Sequence, residues 1–270
     1  MKARIDLGGI IINAALSGSG GASLILIHEL GGSLHSFDTM TVLLEKHFRI
    51  LRYDQRGAGA SEKPPGGITL ENHVNDLRAL IEWAALPPPY IILAAAAGAG
   101  IALQYALGRV ADMERLILCA PAISMPPARR DELRARARDV AKAGVRSIVD
   151  RTLAKSFPVI LRQNQSIYEN YRTRFLTNDA AMYGQAVICA ADMELTSKLE
   201  KIENHCLVVA GLHDLVRPVE LITESVSALP NKQIRLIESG HLMAVQAPEI
   251  LVEIIEDWLS QEINAKDCKL

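Results

Sequence analysis

Short apolar runs alternate with segments of helical period along this chain, and that alternation limits its fold more than any other feature. Residues 9–15, 23–28, 48–53 and 90–94 form β-like runs ahead of position 96. Between the last two, Val74, Leu77, Leu80, Ile81 and Ala84 recur at helical spacing. A second helix is expected over 98–107 and a buried strand over 115–119. Strand-like runs at 205–210 and 233–238 follow, and a helix opens at Pro248. Such alternation predicts a mostly parallel sheet covered on both faces. Its central strands should include 24–27, which carries no polar side chain.

Residues 123–196 break the pattern. An Arg/Ala-rich stretch at 129–146 leads into helix-length pieces carrying Phe157, Tyr168, Tyr171, Phe175 and Tyr183, with no strong strand signal. The expected organisation is a core built from 1–122 and 197–270, with 123–196 as a helical lid. With 270 residues and 49% apolar content, one such domain with an insertion can bury a sizeable core.

Several classes are disfavoured at once. A net charge of -2 leaves no broad footprint for nucleic acid. The cysteines at 119, 189, 206 and 268 are too scattered for a zinc module and too sparse for a disulfide scaffold. Arg4 and Asp6 interrupt any early apolar run, and the longest apolar stretch, 91–103, falls short of the roughly 20 residues of a membrane span. The expectation is a cytoplasmic protein acting on a small molecule, without membrane, nucleic acid, metal or cofactor. Homodimerisation stays open.

The stretch Leu93-Ala94-Ala95-Ala96-Ala97-Gly98-Ala99-Gly100 ends a strand and opens a helix using only small side chains after Leu93. Small residues permit close backbone approach, and a helix N-terminus offers unpaired N–H groups. A nucleophile elbow of pattern G-x-S-x-G uses the same geometry. In that frame Ala96 occupies the nucleophile position.

Four further motifs follow strands. They are His28-Glu29-Leu30-Gly31-Gly32, Tyr53-Asp54-Gln55-Arg56-Gly57-Ala58-Gly59, Ala210-Gly211-Leu212-His213-Asp214 and Ser239-Gly240-His241. In open parallel sheets the carboxyl ends of strands surround one crevice. Nucleophile position, acid and base then run in the order 96, 214 and 241, as in α/β-hydrolase architecture.

Over nearly its whole length the chain resembles an α/β-hydrolase-fold protein. Three pieces are similar to the 3-oxoadipate enol-lactonase group: 30–35, 54–61, and Cys189-Ala190-Ala191-Asp192 in the lid. The resemblance implies a Ser-His-Asp triad, an oxyanion hole and a small carboxylated lactone as substrate. This chain departs from that pattern at Ala96, at Ala94 two residues earlier, and at Glu29, where many relatives carry glycine.

Within this frame His241 is the expected base and Asp214 its orienting acid. The backbone N–H groups of Leu30 and Ala97 are the expected oxyanion donors. Glu29 and Ser33 are candidates for substrate contact or for shaping the loop. His28 should hold that loop, Asp54 and Arg56 should form an internal turn network, and His213 should shape its own loop. The lid arginines 129, 130, 134, 136 and 138 either attract a carboxylate or face solvent.

An alanine methyl can neither attack a carbonyl nor pass on a proton, so an acyl-enzyme at residue 96 is excluded. Either the alanine replaces a serine by substitution, or it is natural. The leading expectation is a hydrolase of small carboxylic esters or lactones whose nucleophile is absent here. The alternatives are a serine-independent enzyme in which His241 and Asp214 activate water or abstract a proton, a C–C-bond hydrolase, and a non-catalytic binding protein.

Overall fold

A computed structural model of the protein describes residues 1–108, 111 and 113–267; Cys268 lies outside them. Eight strands form one sheet: β1 (Lys2–Asp6), β2 (Ile11–Ser17), β3 (Ala22–Ile27), β4 (Phe48–Tyr53), β5 (Tyr90–Ala95), β6 (Met113–Cys119), β7 (His205–Gly211) and β8 (Lys232–Ile237). Their spatial order is β1-β2-β4-β3-β5-β6-β7-β8. The β1–β2 and β2–β4 pairs are antiparallel and every other pair is parallel. This is the α/β-hydrolase fold, with the mostly parallel sheet expected from the alternation.

Strand β3 lies between β4 and β5, and its residues from Ser23 to Ile27 are buried. Burial on both faces explains a run without polar side chains. Strand β1 is absent from the sequence reading. Of its five residues only Ile5 is buried, and Lys2, Arg4 and Asp6 are charged. It carries no apolar run because it is a sheet edge, held mainly by its ladder to β2. Strand β2 begins two residues later than expected, since Leu7 N–H donates to Ile10 O and the intervening glycines form the hairpin turn.

Helices α1 (Asp38–Leu44), α2 (Leu70–Trp83) and α3 (Gly98–Ala106) follow β3, β4 and β5 in turn. Thr69 caps α2 by accepting from Asn72 N–H, while the Asn72 side chain accepts from Thr69 N–H. Four helices fill the interval between β6 and β7: α4 (Pro127–Ala143), α5 (Val149–Ser156), α6 (Gln165–Leu176) and α7 (Ala180–Asp192). They enclose an apolar cluster of their own, centred on Val140, Val149, Leu153, Phe157, Tyr171 and Phe175. A β-bridge between Ser124 and Glu194 joins the two ends of this interval.

Helix α8 (Val219–Ser225) connects β7 to β8, and α9 (Met243–Gln246) and α10 (Pro248–Asp267) complete the described chain. Helix α1 packs against α10, and α2 against α3. Among the described residues no helix is long and apolar enough to cross a membrane.

Candidate active site

The turn from β5 into α3 is strained at one residue. Ala96 has φ +49, a left-handed conformation that costs a residue with a Cβ roughly 1–2 kcal/mol. Three backbone hydrogen bonds hold it there: Ala96 N–H donates to Cys119 O, and Ala96 O accepts from Ala99 N–H and Ala122 N–H. The turn is also tight against the neighbouring strand. A Cβ on Gly98 would lie 2.7 Å from His28 O, so glycine is required for α3 to start this close to β3. Alanine at 96 therefore retains the sharp strand–helix geometry expected of a nucleophile elbow.

Facing this turn is the loop after β3. His28 Nδ1 donates to Glu29 O at 2.7 Å, leaving Nε2 to accept from Gln55 N–H at 3.0 Å. The imidazole thus ties two crevice loops together, the structural role expected of it. Gly32 N–H donates to Glu29 O and closes the turn. Among the described residues neither Leu30 N–H nor Ala97 N–H has a backbone or side-chain acceptor. Both residues line the central cavity.

Glu29 and Ser33 do not line that cavity. Glu29 is buried, and its Oε1 accepts from Ser36 Oγ–H and from Tyr171 Oη–H of α6, each at 2.8 Å. Burial, followed by the neighbouring Glu29 charge, pushes the Tyr171 phenol well above its usual value, so it stays a donor. The hydroxyl of Ser33 accepts from His35 N–H at the start of a short 3-10 helix. Of the two roles open to this pair, loop shaping is the one these contacts fit.

Asp54 receives Leu34 N–H, Ala60 N–H and Asn13 Nδ2–H, which makes it the centre of a turn network. Arg56 instead reaches α2 and forms a two-pronged pair with Asp76 at 2.6 and 2.7 Å.

The acid and base positions meet on the opposite side of the crevice. Asp214 follows β7 and is buried; its Oδ1 accepts from Val216 N–H and Arg217 N–H. Its Oδ2 faces His241 Nδ1 at 2.8 Å. With the Nδ1 proton committed to Asp214, Nε2 is left as the acceptor nitrogen. His213 faces away from this contact and pairs with Glu238 at 2.9 Å.

The loop carrying His241 has a support that the motifs do not reveal. Gln246 Oε1 accepts from Ser239 Oγ–H, Gly240 N–H and Leu242 N–H, while Nε2 donates to Ser156 O of α5. One amide therefore fixes the His241 loop and connects it to the inserted helices. Glutamine on a short helix has no sequence signature for such a task.

Leu30, Ala96, Ala97 and His241 converge on one cavity of about 1250 Å³, with Asp214 behind His241. Tyr171, Phe175 and Tyr183 from α6 and α7 contribute apolar wall. Most of the α4 arginines are already neutralised. Arg129 pairs with Glu132, Arg130 with Glu194 at 2.7 Å, and Arg134 with Asp192 at 2.6 Å. Arg136 donates to Thr152 Oγ1, and Arg138 is exposed.

Solved structures of other proteins share this architecture. A thermophilic esterase from Thermogutta terrifontis matches with a TM-score of 0.89 at 23% identity, covering 97% of this chain and 98% of that one. The enol-lactonase from Burkholderia xenovorans LB400 matches with a TM-score of 0.87 at 22% identity, over 96% and 100% of the two chains. In sequence, 3-oxoadipate enol-lactonase 2 from Acinetobacter baylyi is 21% identical over 238 residues, 87% of each chain. Residues 20–242 match the family described as serine aminopeptidase, S33. That match spans most of the chain, and the protein belongs to this family of α/β-hydrolases.

Proposed function

We propose that the cavity is an acyl-hydrolase site for small carboxylic esters or lactones, with Ala96 at the position of the nucleophile. The observation that carries this reading is the 2.8 Å contact from His241 Nδ1 to Asp214, which leaves Nε2 as the basic atom of a residue on the Ala96 cavity. Leu30 N–H and Ala97 N–H, free of protein acceptors, are the donors for an oxyanion. Helices α4–α7 act as a lid that limits water and selects substrate.

With alanine at 96 the acyl-enzyme route is closed, and the available route is direct attack by water. His241 Nε2 removes a proton from water as its oxygen bonds to the carbonyl carbon. The carbonyl electron pair moves onto oxygen, facing the two amides. Collapse of the tetrahedral intermediate expels the leaving oxygen, which takes the proton back from the imidazolium. Asp214 stabilises that cation and keeps the ring in the required tautomer. A serine at 96 would use the same base and the same donors.

The test is a panel of small lactones, esters and 1,3-diketones, assayed for product with this chain, with His241→Ala and with Ala96→Ser. Ester or lactone turnover that rises in Ala96→Ser and falls with His241→Ala supports the reading. Diketone cleavage alone would move the assignment to C–C-bond hydrolysis. Binding without product in every variant would leave a receptor.

A further inference from the structure

Among the described residues Arg136, Arg151, Lys155 and Arg217 line the cavity without a carboxylate in direct contact, and of these Arg217 alone is buried. Arg217 is only 5% exposed and lines the cavity that also holds Ala96 and His241. Its Nε has no hydrogen-bond partner among the described residues, and Nη2 reaches only Ser225 Oγ, at 3.5 Å. The Asp214 charge lies close enough to favour the guanidinium, but its oxygens bond to two backbone N–H groups and to His241, so the guanidinium donors have no carboxylate in direct contact. Glu224, on the same cavity, forms no ion pair with Arg217 among the described residues.

A buried guanidinium remains charged, and removing it from water without a paired anion costs several kcal/mol. A fold keeps such a group when something else supplies the anion. The backbone holds Arg217 rigidly, because its own N–H donates to Asp214 Oδ1 at 2.9 Å. The loop that positions the acid therefore also positions this cation. Three half-buried arginines of α4 contrast with it, since Arg129, Arg130 and Arg134 already have carboxylate partners.

We propose that Arg217 is the seat for a carboxylate carried by the substrate, placed on the Asp214 side of the cavity, and that it sets a preference for anionic over neutral acyl compounds. This inference rests on the acyl-hydrolase reading of the cavity. A planar carboxylate matches the donor fork of arginine, and a charge-assisted, two-pronged bond is the strong kind. Ser225 Oγ–H donates to Ile222 O and only accepts weakly from the guanidinium, so the fork is left to the ligand. Leu215, Val216 and Leu221, all exposed, line the same cavity mouth.

Calorimetric titration of this chain with 4-oxopentanoate and with its neutral amide tests the proposal. The two probes share a carbonyl group and differ in charge at the far end. The carboxylate should bind at least roughly tenfold more tightly than the amide. Arg217→Met should reduce that ratio to about twofold or less while the variant stays folded. Arg134→Met, which alters an arginine already paired with Asp192 and outside the cavity, should keep the ratio. Equal binding of the two probes, an unchanged ratio in Arg217→Met, or unfolding of that variant would each overturn the proposal. Hydrolysis of a neutral acetate ester by Ala96→Ser reports separately on the acyl-hydrolase reading, because that substrate carries no anion.

Discussion

His241 Nδ1 and Asp214 Oδ2 face each other at 2.8 Å, with the Asp214 side chain fully shielded from solvent. This contact fixes the tautomer of the ring and leaves the other nitrogen basic. In the Ala96→Ser protein, Asp214→Asn should therefore lower kcat by roughly 10³–10⁴, by allowing the wrong tautomer while leaving the fold intact. Steady-state kinetics with a small ester, alongside circular dichroism, measures both. A loss below tenfold would mean that the pair does not act as acid and base.

Gln246 holds the His241 loop through three accepted hydrogen bonds and reaches Ser156 through a fourth. Gln246→Ala strands two backbone donors and should cost about 1–3 kcal/mol of stability. Gln246→Glu keeps the acceptors but sets a carboxylate oxygen against Ser156 O, so it should recover only part of that loss near neutral pH. Urea denaturation of both variants checks the order.

Glu29 and Gly32 constrain each other. A Cβ on Gly32 would sit 2.2 Å from Glu29 Oε1, which is itself pinned by Ser36 and Tyr171. Gly32→Ala should destabilise the protein by about 1–3 kcal/mol through this overlap. In a Glu29→Gly background the same substitution should cost at least about 1 kcal/mol less, a coupling that a double-mutant cycle reads directly.

His73 supplies a pH dependence. Burial, reinforced by the charge of Arg56, pulls its pKa from 6.5 down to about 3. Between those values the unfolded chain binds a proton that the folded protein does not, so stability falls as pH falls. At pH 5 this loss amounts to roughly 2 kcal/mol relative to pH 7. His73→Gln should flatten the stability profile between pH 7 and 5, as measured by denaturant midpoints. An unchanged profile would mean that other groups dominate.

The sheet is legible wherever burial demands apolar runs. Strands β3, β4 and β5 stand out because both faces are covered, whereas β1 is hidden by Lys2, Arg4 and Asp6. Positions 96, 214 and 241 are legible for a related reason, since each follows a recognisable strand in a telling order. The supports around them are not. Tyr171 meets Glu29 across 142 residues of sequence, and Gln246 meets Ser156 across 90. Arg217 is conspicuous only when the partners missing around it are visible in three dimensions. Chain order reports where loops gather, while side-chain reach decides what each one holds.

Residue 96 is proposed to be a nucleophile position occupied by alanine. Mass spectrometry after brief exposure to an activated small ester tests this most directly, using this chain, Ala96→Ser, and Ala96→Ser combined with His241→Ala. The expected result is an acyl adduct on the peptide containing residue 96 in Ala96→Ser, a strong reduction of that adduct in the double variant, and none in this chain. Product release is followed in parallel, so that rapid deacylation is also detected. Neither adduct nor product from Ala96→Ser across the ester and lactone panel would contradict the account.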